Sequence, residues 1–383
     1  MHNPPPSRRR KLRTWTPGSG SAELKPAHGL AGGNGSPALL DLASNDYLGL
    51  SRHPALIEAA RTSLFRDGIG AGGSRLITGS RPVHASLEQA LAHWLGRDKV
   101  LLFPSGFQAN LAAVIALADR STPVLADRLT HHSLLVGIKA SGAKLQRFNH
   151  LDLNDLKQRL KRCRMRNPDQ SPLVITESLF SMEGTSPGMQ ALAELCEHHK
   201  ARLLVDEAHA LGVLGPEGRG LCHGLDAPVA LISGTFGKAF GSGGAFLAGD
   251  ALMADRLLQG SGAFRYTTAL APPLAAAAMA ALQLIEANPD WGVQLLQHAQ
   301  QWREALANAG WQRPAGHGQI LSVLIGSDQL ALDHQHQLEA AGLLSVAIRP
   351  PTVPDGTARL RLVLHRNLPD DTLGRLVNAL GPG

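Results

Sequence analysis

Residues 202–209 read Arg202-Leu203-Leu204-Val205-Asp206-Glu207-Ala208-His209, and residues 229–238 read Val229-Ala230-Leu231-Ile232-Ser233-Gly234-Thr235-Phe236-Gly237-Lys238. Each opens with a short, mostly apolar run and turns polar at its end. Runs without in–out alternation are expected where both faces of a sheet are buried, as in parallel sheets covered by helices. Working outward, the same pattern recurs at Pro123-Val124-Leu125-Ala126, Leu173-Val174-Ile175-Thr176 and Gly244-Ala245-Phe246-Leu247-Ala248. Helical segments such as Phe107 to Ala118 and Met189 to His199 fall between them. Strands alternating with helices predict an α/β fold with a mostly parallel sheet.

Open parallel sheets bind ligands beyond the carboxyl ends of their strands. The polar residues that follow each run are therefore the chemical candidates. Lys238 lies in the Gly-rich turn Gly237-Lys238-Ala239-Phe240-Gly241-Ser242-Gly243-Gly244 between two apolar runs. An amine held in such a turn suits Schiff-base chemistry, and a solvated loop lysine is the plain alternative. A nucleotide-binding P-loop is excluded, because Ala239 stands where Ser or Thr is required and Ile232 where the first Gly belongs. Asp206, one strand–helix unit earlier, is placed to hold a protonated ring nitrogen or simply to cap a helix. Asp206-Glu207-Ala208-His209 also spells a helicase box, which means little without a P-loop. Ser105-Gly106-Phe107 begins a helix whose free N–H groups could bind phosphate or be capped by Ser105. His131 and His132 lack partners at metal-ligand spacing, so no metal site is expected, and stacking on a planar cofactor is the sharper reading of one of them.

Beyond this core, residues 1–38 read as an irregular arm rich in Pro, Gly and Ser. Residues 39–280 read as the large domain. Residues 281–383 read as a smaller C-terminal α+β domain with strands near Gln319–Ile325, Leu344–Ile348 and Arg359–Leu364. Three cysteines in 383 residues are too few for a disulfide framework and point to a reducing cytoplasm. The N-terminus has no apolar segment of the kind a secretory signal carries. The stretch Tyr266–Ile285 is broken by Pro272 and Pro273, so no membrane span is expected. A formal charge of +6 without interleaved basic and aromatic residues argues against nucleic acid. The cluster Arg8, Arg9, Arg10, Lys11 and Arg13 is either a solvated arm or a contact for phosphate.

Taken together, several longer motifs carry a specific resemblance: Ser44-Asn45-Asp46-Tyr47-Leu48-Gly49-Leu50, Gly70-Ala71-Gly72-Gly73-Ser74-Arg75, Phe103-Pro104-Ser105-Gly106-Phe107-Gln108-Ala109-Asn110, Thr176-Glu177-Ser178-Leu179-Phe180-Ser181-Met182-Glu183-Gly184, Thr235-Phe236-Gly237-Lys238 and Ile348-Arg349-Pro350-Pro351-Thr352-Val353-Pro354. Over nearly its whole length after the arm, the chain resembles the α-oxoamine synthases, pyridoxal 5'-phosphate (PLP) enzymes of transferase fold type I. Ala210-Leu211 departs from the more usual Gly-Thr after His209, and Ser242-Gly243 falls in a variable part of the lysine loop. Neither removes a group the chemistry needs.

The resemblance implies roles for single residues. Lys238 corresponds to the Schiff-base lysine, Asp206 to the partner of the pyridine nitrogen, His209 to the partner of the phenolic oxygen and His131 to the histidine stacked on the ring. Gly106, Phe107, Ser181 and Thr235 correspond to further cofactor contacts. Asn45 and Arg361 correspond to positions holding the amino acid carboxylate, Thr352 to a substrate contact and Arg13 to an N-terminal substrate arginine. The implied reaction joins L-alanine to a pimeloyl thioester, carried by coenzyme A or acyl carrier protein, with loss of carbon dioxide. Sister enzymes use glycine and shorter acyl groups, and a non-catalytic binding protein on this fold is the reading from another class. A homodimer is also implied, with Tyr266, Thr267 and Thr268 reaching the neighbour's phosphate.

Overall fold

The computed structural model describes residues 5–27, 37–166 and 168–383. It divides into a smaller unit, formed by the described residues up to Gly49 with Ser181–Thr185 and Val293–Gly383, and a larger unit, Leu50–Phe180 with Ser186–Gly292.

In the smaller unit, β1 (Trp15–Pro17) and β2 (Glu23–Pro26) form an antiparallel hairpin, and β2 pairs antiparallel with β3 (Leu39–Asp41). Part of the segment read as an irregular arm is therefore sheet. Its strands are only three and four residues long, end in Pro17 and Pro26, and show no apolar alternation, so the period-2 signal is missing. Residues 39–49 also belong to this unit rather than to the large domain, and the second junction, at Gly292, lies within about fifteen residues of the expected boundary near 280.

The larger unit holds a seven-stranded sheet of β4 (Lys99–Phe103), β5 (Pro123–Asp127), β6 (Lys144–Phe148), β7 (Leu173–Glu177), β8 (Arg202–Asp206), β9 (Leu231–Thr235) and β10 (Ala245–Gly249). Their spatial order is β4-β10-β9-β8-β7-β5-β6, and only β10 runs against its neighbours. The mostly parallel sheet read from the sequence is present. All five residues of β7 and of β10 are buried, which is why they read as unbroken apolar runs. The edge strand β6, Lys-Leu-Gln-Arg-Phe, is only partly covered and escaped the reading. β9 starts two residues later than expected and runs on through Ser233 and Gly234. A Cβ at Gly234 would lie 2.3 Å from the Phe246 ring, so only glycine lets β10 pack there.

The helices Gly106–Leu117 and His132–Ser141 belong to this unit. Ala109, Ala112, Ala113 and Val114 of the first are fully buried in one cluster with Val124, Ile175, Leu204 and Leu247 of the sheet. The Ala-rich helix Pro272–Ala287 begins at its two prolines, which fit a first turn where N–H groups have no partner.

Two further groups complete the smaller unit. β11 (Ile320–Gly326), β13 (Val346–Ile348) and β14 (Ala358–Val363) form an antiparallel sheet in the order β11-β14-β13, while β12 (Leu343–Leu344) lies parallel to β3. Arg303 is fully buried here with its guanidinium donating to the carbonyls of Ala299, Gly318 and Ile320, and burial holds its pKa down at about 10.

Candidate active site

In the larger unit four neighbouring parallel strands end in acids or a hydroxyl: β5 in Asp127, β7 in Glu177, β8 in Asp206 and β9 in Thr235. Asp206 is buried, and both carboxylate oxygens are engaged by neutral donors. The Asn110 amide donates to Oδ2 at 2.7 Å and the Ala208 N–H to Oδ1 at 2.9 Å. With a donor on each oxygen, the orientation of this carboxylate is fixed.

Asn110 also donates to Ser133 Oγ at 2.9 Å, and Ser133 Oγ bonds His131 Nδ1 at 2.7 Å. A chain Asp206–Asn110–Ser133–His131 thus links two residues predicted from sequence through two that were not. His131 also caps the helix His132–Ser141, its Nδ1 accepting from Ser133 N–H. Burial holds the His131 pKa below its ordinary value; Asp206 opposes this, while the positive charges of Lys238 and His132 add to it. Asp206 and Lys238 both act on this imidazole.

Lys238 sits half-buried in the turn after β9. Three backbone bonds fold that turn: Phe236 N–H to Gly244 O at 2.9 Å, Gly241 N–H to Lys238 O at 2.8 Å and Ser242 N–H to Phe236 O at 2.8 Å. Gly241 has φ +61°, and a Cβ there would fall 2.4 Å from Ser51 N, so the turn needs glycine at that position. The Thr235 hydroxyl donates to Gly244 O at 3.0 Å and accepts from Gly237 N–H at 3.2 Å, so it also braces this turn. Gly106 packs against Thr235, a Cβ there lying 3.8 Å from the threonine Cβ. Gly106 opens the helix Gly106–Leu117, where Ser105 Oγ caps Gln108 N–H at 3.3 Å, and Phe107 is exposed. His209 is buried directly after the Asp206 strand end.

Glu207 is fully buried beside these groups. Its Oε1 accepts from the N–H groups of Leu221 at 2.7 Å and Cys222 at 3.2 Å, yet burial pushes its pKa up to about 7.

Within the smaller unit, Arg361 is buried and gathers two other predicted residues. Its Nη2 donates to Asn45 Oδ1 at 2.9 Å and its Nε to Ser181 O at 2.6 Å. Burial lowers the Arg361 pKa, and burial raises that of the adjacent Tyr47 phenol, with Arg361 pulling it back. Thr352 Oγ1 accepts from Arg10 at 2.8 Å. Arg13 pairs with Glu339 at 2.6 Å and lies 4.5 Å above the Trp15 ring.

Sequence reasoning gave no role to Asn110 or Ser133. Asn110 was detectable in principle, as a poor helix former one turn into an otherwise apolar helix. The donor set fits the expected cofactor: a buried carboxylate in Asp206, a lysine on a braced turn, helix N–H groups beside Thr235 and the His131 imidazole. Among the described residues no group of acids, histidines and cysteines is arranged to hold a metal ion.

A mostly parallel sheet with these groups at its strand ends defines a PLP-type transferase architecture. The family model for class I and II aminotransferases matches residues 37–380. The chain belongs to that family, and within it to the 8-amino-7-oxononanoate synthase group. An 8-amino-7-oxononanoate synthase from Acidithiobacillus ferrooxidans is 42% identical over 356 residues, covering 91% of this chain and 89% of that protein. A solved 8-amino-7-oxononanoate synthase from Francisella tularensis superposes with a TM-score of 0.77 at 27% identity, covering 89% of this chain and 96% of that one. A serine palmitoyltransferase solved with PLP gives a TM-score of 0.89 at 26% identity, over 96% of this chain and 92% of the other.

Proposed function

We infer that the chain catalyses the decarboxylative condensation of L-alanine with a pimeloyl thioester to give 8-amino-7-oxononanoate, carbon dioxide and the free thiol of the carrier. The observation that carries this reading is the buried Asp206 carboxylate, held as an acceptor by Asn110 and Ala208 N–H in the same unit as Lys238 and His131.

PLP, when bound, supplies the electron sink that makes the α-carbon of an amino acid acidic. Asp206 would hold the proton on the ring nitrogen, because its two oxygens are fixed and the carboxylate cannot turn away. The Lys238 amine holds the cofactor to the chain and moves the proton at the α-carbon. His131 would help hold the ring. Its lowered pKa keeps the imidazole neutral near pH 7, so no second positive charge is added beside Lys238. His209 would help hold the cofactor's phenolic oxygen. The N–H groups at Gly106 and Phe107, with the Thr235 hydroxyl, would hold the phosphate. Arg361, oriented by Asn45 and the Ser181 carbonyl, binds the amino acid carboxylate, for which a buried guanidinium is a suitable partner.

Tyr266, Ile77 and Leu76 are exposed around a cavity of about 400 Å³ that Thr267 and Thr268 also line. This apolar rim supports a homodimer in which Tyr266, Thr267 and Thr268 approach the neighbouring subunit's phosphate. The three cysteines are buried and unpaired, which supports a reducing compartment such as the cytoplasm. Among the described residues no helix is long and apolar enough to cross a membrane.

The test is product analysis by mass spectrometry with L-alanine or glycine against pimeloyl, succinyl and acetyl thioesters. L-Alanine with the pimeloyl thioester is expected to give the highest kcat/KM. Equal or better turnover of glycine with a shorter acyl group would move the chain to a sister activity.

A further inference from the structure

The smaller unit contains a cavity of about 830 Å³, walled on one side by residues 6–13 and on another by Ser345–Pro350 and Thr352. Six cations line it: Arg8, Arg9, Arg10, Lys11, Arg13 and Arg349. Two of them are neutralised locally. Arg8 pairs with Asp328 at 2.7 Å and with Asp355, and Arg13 pairs with Glu339. The other four make no ion pair among the described residues.

Arg10 and Arg349 are nevertheless held in place, and by neutral acceptors only. Arg10 donates to the Thr352 hydroxyl at 2.8 Å. Arg349 donates to the carbonyl of Ser7 and, at 3.4 Å, to that of Ala347. Each guanidinium keeps further N–H donors for a ligand, since arginine carries five. Their charges oppose one another: burial lowers the Arg349 pKa, Arg10 lowers it further, and Asp328 partly offsets both. Two guanidiniums fixed at one cavity, neither of them ion-paired among the described residues, form a repulsive arrangement that a bound anion relieves. The planar, forked donors of arginine fit both carboxylate and phosphate, and a phosphate has enough oxygens to take two guanidiniums at once.

We propose that this cavity binds the phosphate of the phosphopantetheine arm that carries the acyl group, with Arg10 and Arg349 as its principal ligands and Arg9 and Lys11 at its mouth. The proposal rests on the reading of the acyl donor as a pantetheine thioester. Coenzyme A and acyl carrier protein both present this phosphate, the first joined to a nucleotide and the second to a serine of the protein.

The holoprotein is titrated with 4'-phosphopantetheine and with pantetheine, which differ only in the phosphate. Wild type is expected to bind the phosphorylated form at least about tenfold more tightly, the scale of one charge-assisted contact. That preference should shrink as salt rises, because Arg9, Arg10 and Lys11 are exposed. Arg10→Gln with Arg349→Gln should abolish it. Lys11→Gln, at an exposed position where folding is not at stake, should reduce it.

Titration of the double variant with coenzyme A and with acyl carrier protein then separates the sources. A similar loss for both supports the shared phosphate, and a loss for one alone supports that carrier as the source. Equal binding of the two pantetheines by wild type, or an undiminished preference in the double variant, overturns the proposal. Formation of 8-amino-7-oxononanoate is measured in parallel. Product without any phosphate preference removes the cavity's role and leaves the activity standing. A phosphate preference without product overturns the carrier assignment together with the activity.

Discussion

Glu207 invites a perturbation whose size and sign both follow from its surroundings. The side chain is fully buried; its Oε1 accepts two backbone N–H bonds, while its Oε2 lies against Gly220, where a Cβ would come within 2.2 Å of it. Burial outweighs the two donors and lifts the pKa from the ordinary 4.5 to about 7. A tenfold change in proton affinity is about 1.4 kcal/mol, so the folded protein holds the Glu207 proton by roughly 3 kcal/mol more than the unfolded chain does. With the folded value raised, the stabilisation is fully present below pH 4.5 and is lost as pH rises through about 7. Glu207→Gln keeps an acceptor for Leu221 and Cys222 and removes the titration. The variant should therefore gain on wild type from pH 5 to pH 8 by about 2.5 kcal/mol, most of it below pH 7. Urea unfolding at pH 5, 6, 7 and 8, followed by the transition that reports the larger unit, measures this directly. A difference between the two proteins that does not change with pH would refute the reasoning, because an ionisation that costs nothing cannot be the consequence of burial.

Two further outcomes test the site itself. Lys238→Ala should leave PLP unattached, so that borohydride reduction no longer fixes it to the chain and turnover is lost; covalent label at another lysine in wild type would end the assignment. Asn110→Ala removes the donor 2.7 Å from Asp206 Oδ2 and the link to Ser133. A hydrogen bond to a charged group contributes about 1.5–3 kcal/mol, so the apparent dissociation constant of PLP should rise about ten- to hundredfold, and an unchanged constant would show that Asn110 does not orient Asp206.

Much of the larger unit was legible because its chemistry and its secondary structure share an address. β7, β8 and β10 are buried on both faces, so they read as apolar runs, and the polar residues at or just after the strand ends lie where a parallel sheet is expected to take a ligand. Asp206 and Lys238 could be found in this way without any knowledge of the fold's connections. β6 was missed since an edge strand needs no apolar run, and the β1–β2 hairpin was missed since it is too short to display a period. The Asp206–Asn110–Ser133–His131 chain was invisible for a different reason. Its members come from three separate elements, and each of its two middle residues has an ordinary local explanation.

The basic arm shows most clearly where local reading stops. Composition gives Arg8, Arg9, Arg10, Lys11 and Arg13 as five equivalent charges, and on that basis electrostatic attraction of an acidic carrier would be shared among all of them. The structure makes them unequal. Arg8 is tied to Asp328, 320 residues away in the chain, and Arg13 to Glu339, 326 residues away. Both are positioned as struts that fasten residues 6–13 along the cavity, so replacing them would loosen the arm as well as remove charge. Arg9, Arg10 and Lys11 carry no such tether to an acid among the described residues, and Arg349 joins them from the far end of the sequence. A pairing across more than three hundred residues leaves no trace in the spacing of the charges themselves. The same five side chains therefore do two jobs, and only the fold separates the pair that builds the cavity from the cations left available to a phosphate.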